Sequence, residues 1–256
     1  MDLYSFFIGG FAVLLSGLVQ VLTGFGFALI AIPLLMLVFP GYEAVLIGMM
    51  LSVFTLSLQA RKDWKFARWD IVWTLTGIGI IGIVIGVLLG NNLNPIYLKG
   101  VVGIAVLVYV VLEWIQKFKK NKNQKQGALK VKKYPKGFYV AGAFSGLLTG
   151  VVGMPGPPVV AVLINYLKKD TFRATLVNYF LINMSLTLIV AFLFLQNGNI
   201  FSVFIKVFAL IIPTIIGYII GFPLRKLVNE WNFKYLVLIL LIFIGISSIW
   251  QMIFVV

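Results

Sequence analysis

Apolar stretches long enough to form membrane helices run through nearly the whole chain, separated by short polar loops. They lie at residues 3–22, 24–39, 42–60, 71–90, 97–116, 138–152, 157–167, 174–195, 200–222 and 235–256. A transmembrane helix needs about 20 residues to cross about 30 Å of hydrocarbon. The stretches that plainly satisfy this are 71–90, 97–116, 174–195, 200–222 and 235–256, and 42–60 is marginally long enough. The pattern predicts an all-α polytopic membrane protein.

Glycine and proline break the apolar pattern most strongly between Ser145 and Pro158, where four glycines and three prolines occur. A helix cannot run smoothly through this stretch, because each proline removes a backbone donor and clashes with the preceding turn. The flanking pieces, 138–152 and 157–167, are too short to cross separately, so we predict a re-entrant hairpin. Broken backbone at membrane depth needs protein or water to satisfy its N–H and C=O groups. The break therefore indicates the wall of a binding site.

The first half of the chain contains a similar break from Gln20 to Phe27, closed off by Pro33. The pair formed by 3–22 and 24–39 is predicted to enter the membrane and return on the same side. The segment 3–22 is also long enough to cross fully. If it does, with 24–39 as a second full span, the topology of the remaining chain is unchanged.

Basic residues determine the predicted orientation. They cluster at 61–68, 117–136, 168–173 and 225–234, and only Lys99 and Lys206 of the 21 lysines and arginines lie elsewhere. Lysine and arginine concentrate in cytoplasmic loops, so we predict that these clusters are cytoplasmic and that both termini lie outside. Each half then consists of one re-entrant pair and three crossings. Because three is an odd number, the two halves have opposite topology.

Short matches between the halves support a duplication. Ser16-Gly17-Leu18 recurs as Ser145-Gly146-Leu147, and Gly24 recurs as Gly153, at a separation of 129 positions. Gly82-x-x-x-Gly86 recurs as Gly217-x-x-x-Gly221 at a separation of 135. Inverted repeats with helices interrupted at corresponding positions are typical of secondary transporters. We predict two inverted-topology repeats, at 1–116 and 138–256, joined by a solvated cytoplasmic linker at 117–137. Attraction of its lysines to anionic lipids is the alternative interpretation.

Composition narrows the possible functions. The 256 residues are 61% hydrophobic and 11% charged, whereas a soluble domain is about half apolar and a quarter charged. The net charge of +14 follows from the cytoplasmic loops, and no basic stretch resembles a nucleic-acid-binding module. The chain has no cysteine or histidine, which removes disulfides, thiolate nucleophiles and most metal sites. We expect no enzyme activity, no cofactor and no metal. The acidic start at Asp2 does not predict a cleaved signal peptide.

The two breaks carry the candidate binding residues. The free N–H groups and positive dipole end of a half-helix attract anions, and glycine lets a ligand approach the main chain closely. The predicted substrate-binding residues are Gln20, Thr23, Gly24, Gly26, Thr149, Gly150, Gly153, Met154, Gly156 and Pro157. For the Gly-x-x-x-Gly pairs, helix packing is the favoured interpretation.

Polar and charged residues near the spans are candidates for the transport pathway or its gates. They are Ser52, Thr55, Asn178, Asn183, Arg173 and Glu43. Hydrogen bonding between helices explains the uncharged members of this set equally well, and a location at the membrane interface explains the charged ones. The lipid-facing sides of 200–222 and 235–256 are compatible with a homodimer.

The second break, Ser145-Gly-Leu-Leu-Thr-Gly-Val-Val-Gly-Met-Pro-Gly-Pro-Pro-Val-Val160, resembles the second-half signature of TauE/SafE-type permeases, the sulfite exporter family. Ser16 to Gly26, with Pro33, is similar to the first-half signature. The resemblance covers essentially the whole chain. One departure is Met154-Pro155, where the family more often has small glycine-type residues. The resemblance implies a permease that moves sulfite, a sulfonate or a related carboxylate across the plasma membrane.

The leading hypothesis is a secondary transporter for a small anion, sulfite or another sulfur-containing anion, that works by alternating access and binds the anion where the two broken elements meet. A permease for small organic carboxylates is the nearest alternative. A cation permease or channel is less favoured, because the spans carry no acidic ring. The expected partners are the anion and the lipid bilayer.

Overall fold

The computed structural model describes residues 2–23, 26–120, 134, 136–163, 166–167, 169–194 and 200–227, and positions 239, 242–243, 245–246, 249–250 and 252–253. These residues form helices and no strand. The helices are α1 (Leu3–Thr23), α2 (Phe27–Leu35), α3 (Gly41–Asp63), α4 (Trp69–Asn92), α5 (Pro95–Lys120), α6 (Lys136–Val152), α7 (Gly156–Leu163), α8 (Lys169–Phe194) and α9 (Ile200–Leu227). A short 3-10 turn, Trp64–Phe66, joins α3 to α4.

The all-helical membrane architecture is confirmed. Within the described residues, α1, α3, α4, α8 and α9 are long and apolar enough to cross a membrane. The polarity of the fold is that of a protein in lipid: polar side chains such as Ser16, Thr55 and Asn183 are buried, whereas Phe208 and Ile212 on α9 are exposed. Most of the predicted linker and of 235–256 lies outside the described residues.

The two predicted breaks are present, with one difference in the first half. The first helix, α1, has 21 residues, the length of a full crossing, whereas α2 has only nine. Pro33 does not end the break but lies inside α2. Pro33 has no N–H to donate to the Leu29 carbonyl, and α2 ends two residues later, where Met36 and Phe39 donate to the Ile32 and Leu35 carbonyls.

Glycine contacts fix the packing of two long helix pairs, α1 with α9 and α4 with α6. In each pair, a Cβ on a glycine of one helix would meet the backbone of the other. The contacts are Gly217 with Leu14, Gly82 with Ala143, Gly221 with Leu18, and Gly86 with Leu147. Such close backbone approach requires small residues. The favoured interpretation of the Gly-x-x-x-Gly pairs as packing elements is therefore confirmed.

The same contacts give the helix directions. Residue numbers rise together along α1 and α9 and along α4 and α6, so each pair is parallel. Gly9 near the start of α1 packs on Phe39 just before α3, and Gln20 near its end bonds Gln59 near the end of α3. The start of α3, at Tyr42, meets the end of α4 at Gly90. Therefore α1, α3 and α9 run in one direction, and α4 and α6 run in the other.

Candidate functional site

The first break is held together by two glutamine side chains. Phe27, the first residue of α2, donates its backbone N–H to Gln20 Oε1 at 3.0 Å. Gln20 Nε2 donates to Gln59 Oε1 at 3.2 Å, and Gln59 Nε2 donates to the Gln20 carbonyl at 3.3 Å. The two backbone groups fix which way both amides point, because a carbonyl only accepts and an N–H only donates. The Gln20 amide oxygen therefore accepts the first N–H of α2, a helix that begins inside the protein.

The second break satisfies the backbone groups that the end of α6 leaves free. Gly153 has φ +70°, a conformation that favours glycine, and its N–H donates to the Thr149 carbonyl at 2.9 Å. This is the common left-handed helix end. The Tyr42 hydroxyl of α3 donates to the Gly150 carbonyl at 2.5 Å. The requirement for satisfied backbone at membrane depth is thus met partly by a side chain from the other half of the chain.

A directional chain of hydrogen bonds supports the far side of the second break. Ser145 Oγ donates to the Pro155 carbonyl at 2.6 Å, and Tyr179 Oη donates to Ser145 Oγ at 2.8 Å. Asn183 Nδ2 then donates to Tyr179 Oη at 3.1 Å. The carbonyl at the end only accepts, so it sets the direction of every bond. Asn183 Oδ1 is left buried and without a hydrogen-bond partner.

The two broken ends are chemically unequal. The first four N–H groups of a helix lack partners within the helix. In α2 all four of these residues have an N–H, whereas in α7 two of the four are prolines, Pro157 and Pro158. Proline has no N–H, so the start of α7 offers half the donors of the start of α2. One of the four donors at the start of α2, the Phe27 N–H, is already bonded to Gln20 Oε1.

The breaks lie at different levels along a single face of α3. A Cβ at Gly153 would meet Val45 and Met49 of α3 and Ile32 of α2 at 2.7–3.1 Å, whereas the first break bonds Gln59. Met49 and Gln59 are ten residues apart, or about 15 Å along a helix. Gly156 faces Phe180 of α8 instead, at 3.6 Å. The described residues of the two breaks therefore contact the same face of α3 at different levels and do not form one compact cluster.

Polar side chains of α3 occupy the interval between the breaks. Ser52 and Thr55 are buried, and with Gln59 they follow the i, i+3, i+7 spacing of one helix face. The Thr55 hydroxyl donates to the carbonyls of Leu51 and Ser52 at 3.2 and 3.0 Å. Ser52 Oγ has no hydrogen-bond partner. A buried hydroxyl without an acceptor is unfavourable by about 1–3 kcal/mol, so the donor capacity of Ser52 is left unused.

The remaining predicted residues have separate positions. Asn178 is buried and donates to the Ala174 carbonyl within α8 at 2.9 Å, and Arg173 is half-buried one turn earlier. Met154 is 1% exposed and forms part of the packed wall. Gly24 and the side chains of Thr23 and Pro157 lie outside the described residues. In the described part of the chain, no three acidic side chains come together to hold a metal ion.

Glu43 is paired rather than free. Its carboxylate accepts a hydrogen bond from Lys206 of α9 at 2.5 Å. At the opposite end of α3, Arg68 donates to both carboxylate oxygens of Asp70 at 2.8 and 2.6 Å, and this hydrogen bonding raises the pKa of the Arg68 guanidinium. The Arg68 backbone N–H also donates to Thr175 Oγ1 of α8 at 3.0 Å. Charged or polar contacts therefore tie α3 and its flanking turn to the second half at both ends.

Three supporting residues were missed by the sequence analysis: Gln59, Tyr42 and Tyr179. Each is polar and lies within or beside an apolar segment, which was the available signal. Their partners lie 39, 108 and 34 positions away, a relation that a single sequence does not contain.

Both broken elements lie within the part of the chain that a known family model matches. The family model described as "Sulfite exporter TauE/SafE" matches residues 9–248. Comparison with curated proteins and with solved structures gave no match. Since the family model covers nearly the whole chain, including both broken elements, the protein is a membrane permease that belongs to the TauE/SafE sulfite exporter family.

Proposed function

We propose that this protein is a secondary transporter that moves a small sulfur-containing anion, sulfite or an organosulfonate, across the plasma membrane by alternating access. The observation that carries the proposal is the unpartnered hydroxyl of Ser52, on the face of α3 that contacts both breaks. Neutral donors can bind an anion there without placing a permanent charge in the membrane, which would be costly.

At the first break, the anion would replace Gln20 Oε1 as the acceptor for the Phe27 N–H. An anion is a better acceptor than an amide oxygen, because charge-assisted hydrogen bonds are roughly twice as strong as neutral ones. The positive end of α2 would add to the attraction. The displaced Gln20 side chain could then offer its own N–H groups. In this proposal Gln20 holds the site closed in the absence of the anion.

The proposed alternating access depends on two inverted repeats. The contacts of α1 with α9 recur between α6 and α4 at the same sequence separations, 129 and 135 positions, that relate the two halves. Because α6 runs opposite to α1, this correspondence supports an inverted relation between 1–116 and 138–256. Rocking of one set of helices against the other would then expose α3 to each side in turn.

The proposed orientation places the linker at 117–137 in the cytoplasm, together with the other basic loops. The start of α3 and the first turns of α9 then lie at the outer side. A homodimer through the exposed side of α9 stays a prediction.

Replacing Ser52 with alanine tests the proposal. We expect the KM for labelled sulfite in proteoliposomes to rise about tenfold or more, because a hydrogen bond to a charged group contributes about 1.5–3 kcal/mol. The unfolding temperature should not fall and is expected to rise, since the substitution removes a buried hydroxyl that has no hydrogen-bond partner.

Ser57→Ala is the matched control, because Ser57 lies on the same helix and its hydroxyl already donates to the Val53 carbonyl at 2.7 Å. Its flux should equal that of the wild type. Sulfite flux in Ser52→Ala with an unchanged KM would remove Ser52 from the transport pathway.

A further inference from the structure

An ion pair joins the two halves of the chain at the proposed outer side. Lys206 and Glu43 are 163 positions apart, and their side chains are only 17% and 22% exposed. Lys206 lies within α9, a helix long enough to span the membrane, and Glu43 lies in the first turn of α3. Both side chains are thus largely withdrawn from solvent, and removing one partner of such a pair leaves an uncompensated charge.

The ammonium group of Lys206 also contacts the end of the first broken element. It lies 5.2 Å from the centre of the Phe39 ring, an attractive arrangement for a cation. Phe39 is buried, and Gly9 of α1 packs on the same ring. Lys206 therefore anchors α9 to the outer ends of α1, α2 and α3 together. Movement of α9 away from these helices must break the contact with Glu43.

When the contact with Glu43 breaks, the ammonium group of Lys206 is left without its carboxylate, and another anion can take that place. The cargo of the proposed transporter is itself an anion. We infer that Lys206 binds the transported anion at the outer entrance, and that Glu43 takes the place of this anion when the entrance is closed. The inference rests on the proposed function and adds a residue and a gate to it.

Kinetics of two neutral variants test the anion-binding role. With sulfite presented at the outer side, we expect Lys206→Gln to raise the KM about tenfold, since it removes the binding charge. Glu43→Gln should lower the KM, because it removes the competitor. The double variant Glu43→Lys/Lys206→Glu should retain a closed entrance. Arg68→Gln is the control: Arg68 pairs with Asp70 within the first half, and its KM should match that of the wild type.

If the Lys206–Glu43 pair only stabilises the fold, we expect a different result. Either neutral variant would then lower stability equally, and both would change the KM in the same direction or leave it unchanged. That outcome, in a protein that transports sulfite, would overturn the role of Lys206 as an anion ligand and leave the proposed function intact.

The gate can be tested without any transport, because the chain contains no cysteine. Met36 is buried one turn before Phe39, so Met36→Cys introduces a buried thiol close in the chain to the ring that Lys206 contacts. We expect Glu43→Gln and Lys206→Gln to speed its labelling by a membrane-impermeant maleimide roughly tenfold. The charge-reversed double variant should restore slow labelling, and Arg68→Gln should have no effect. Equal labelling rates in all variants would show that the ion pair does not block access to the thiol at position 36.

Discussion

Replacing Gln20 with glutamate is expected to abolish anion flux and to lower stability, because the buried carboxylate can no longer donate to Gln59 Oε1. The carboxylate keeps an oxygen that can accept the Phe27 N–H, as Gln20 Oε1 does at 3.0 Å. The added charge repels an anion at the same position. Two like charges at 4 Å cost about 4 kcal/mol at an intermediate dielectric constant, so we expect flux to fall by roughly a hundredfold or more.

The measurement is labelled sulfite flux in proteoliposomes, together with the elution profile and unfolding temperature of the purified variant. Asn92→Asp is the control, because it adds the same charge at the exposed end of α4 and should leave flux nearly normal. A folded Gln20→Glu protein that transports sulfite normally would exclude the first break as the anion site. Retained flux of a cation in this variant would favour the cation permease instead.

The second large effect concerns stability. Gly82→Ala and Gly217→Ala should each lower the unfolding temperature by roughly 5–10 °C, because overpacking costs about 1–3 kcal/mol. A Cβ at Gly82 would lie 2.6 Å from the Ala143 carbonyl oxygen, and one at Gly217 would meet the Leu14 carbonyl. Backbone atoms cannot turn aside as a flexible side chain can, so the helices must separate.

Gly77→Ala is the matched control for this effect. Gly77 lies on α4, as Gly82 does, but a Cβ there would meet nothing within 4 Å. Because alanine favours helix over glycine by about 1 kcal/mol, Gly77→Ala should match or exceed the wild type in stability. A large loss for Gly82→Ala with none for Gly217→Ala would contradict the proposed equivalence of the two helix pairs.

Much of the helix pattern could be predicted from the sequence. The apolar stretches at 71–90 and 200–222 correspond to α4 and α9, because the length of an apolar run and the position of glycine and proline determine where membrane helices begin and end. The second break was predicted for the same reason. The position of Pro33 inside α2 was not, because a proline disturbs the turn that precedes it and its place in the sequence does not show whether the helix continues past it.

The relative depth of the two breaks could not be predicted. The sequence suggested that they meet, whereas the described residues place Gly153 beside Met49 and Gln20 beside Gln59. These levels depend on the axial positions of α1 against α9 and of α6 against α4, which the close glycine contacts determine. Similarly, the sequence identified Ser52 as a polar residue in a span, but only the packing shows that its hydroxyl has no partner.

If the protein transports a sulfur-containing anion, proteoliposomes that contain the purified wild-type protein should take up labelled sulfite. Thiosulfate, a sulfonate, lactate and acetate serve as competitors, with and without a pH gradient. We predict saturable uptake that thiosulfate and the sulfonate block and the carboxylates do not. Uptake of lactate or acetate, with no uptake of sulfite, would keep the proposed binding site and assign it a carboxylate substrate. No flux of any anion by folded protein would contradict the account.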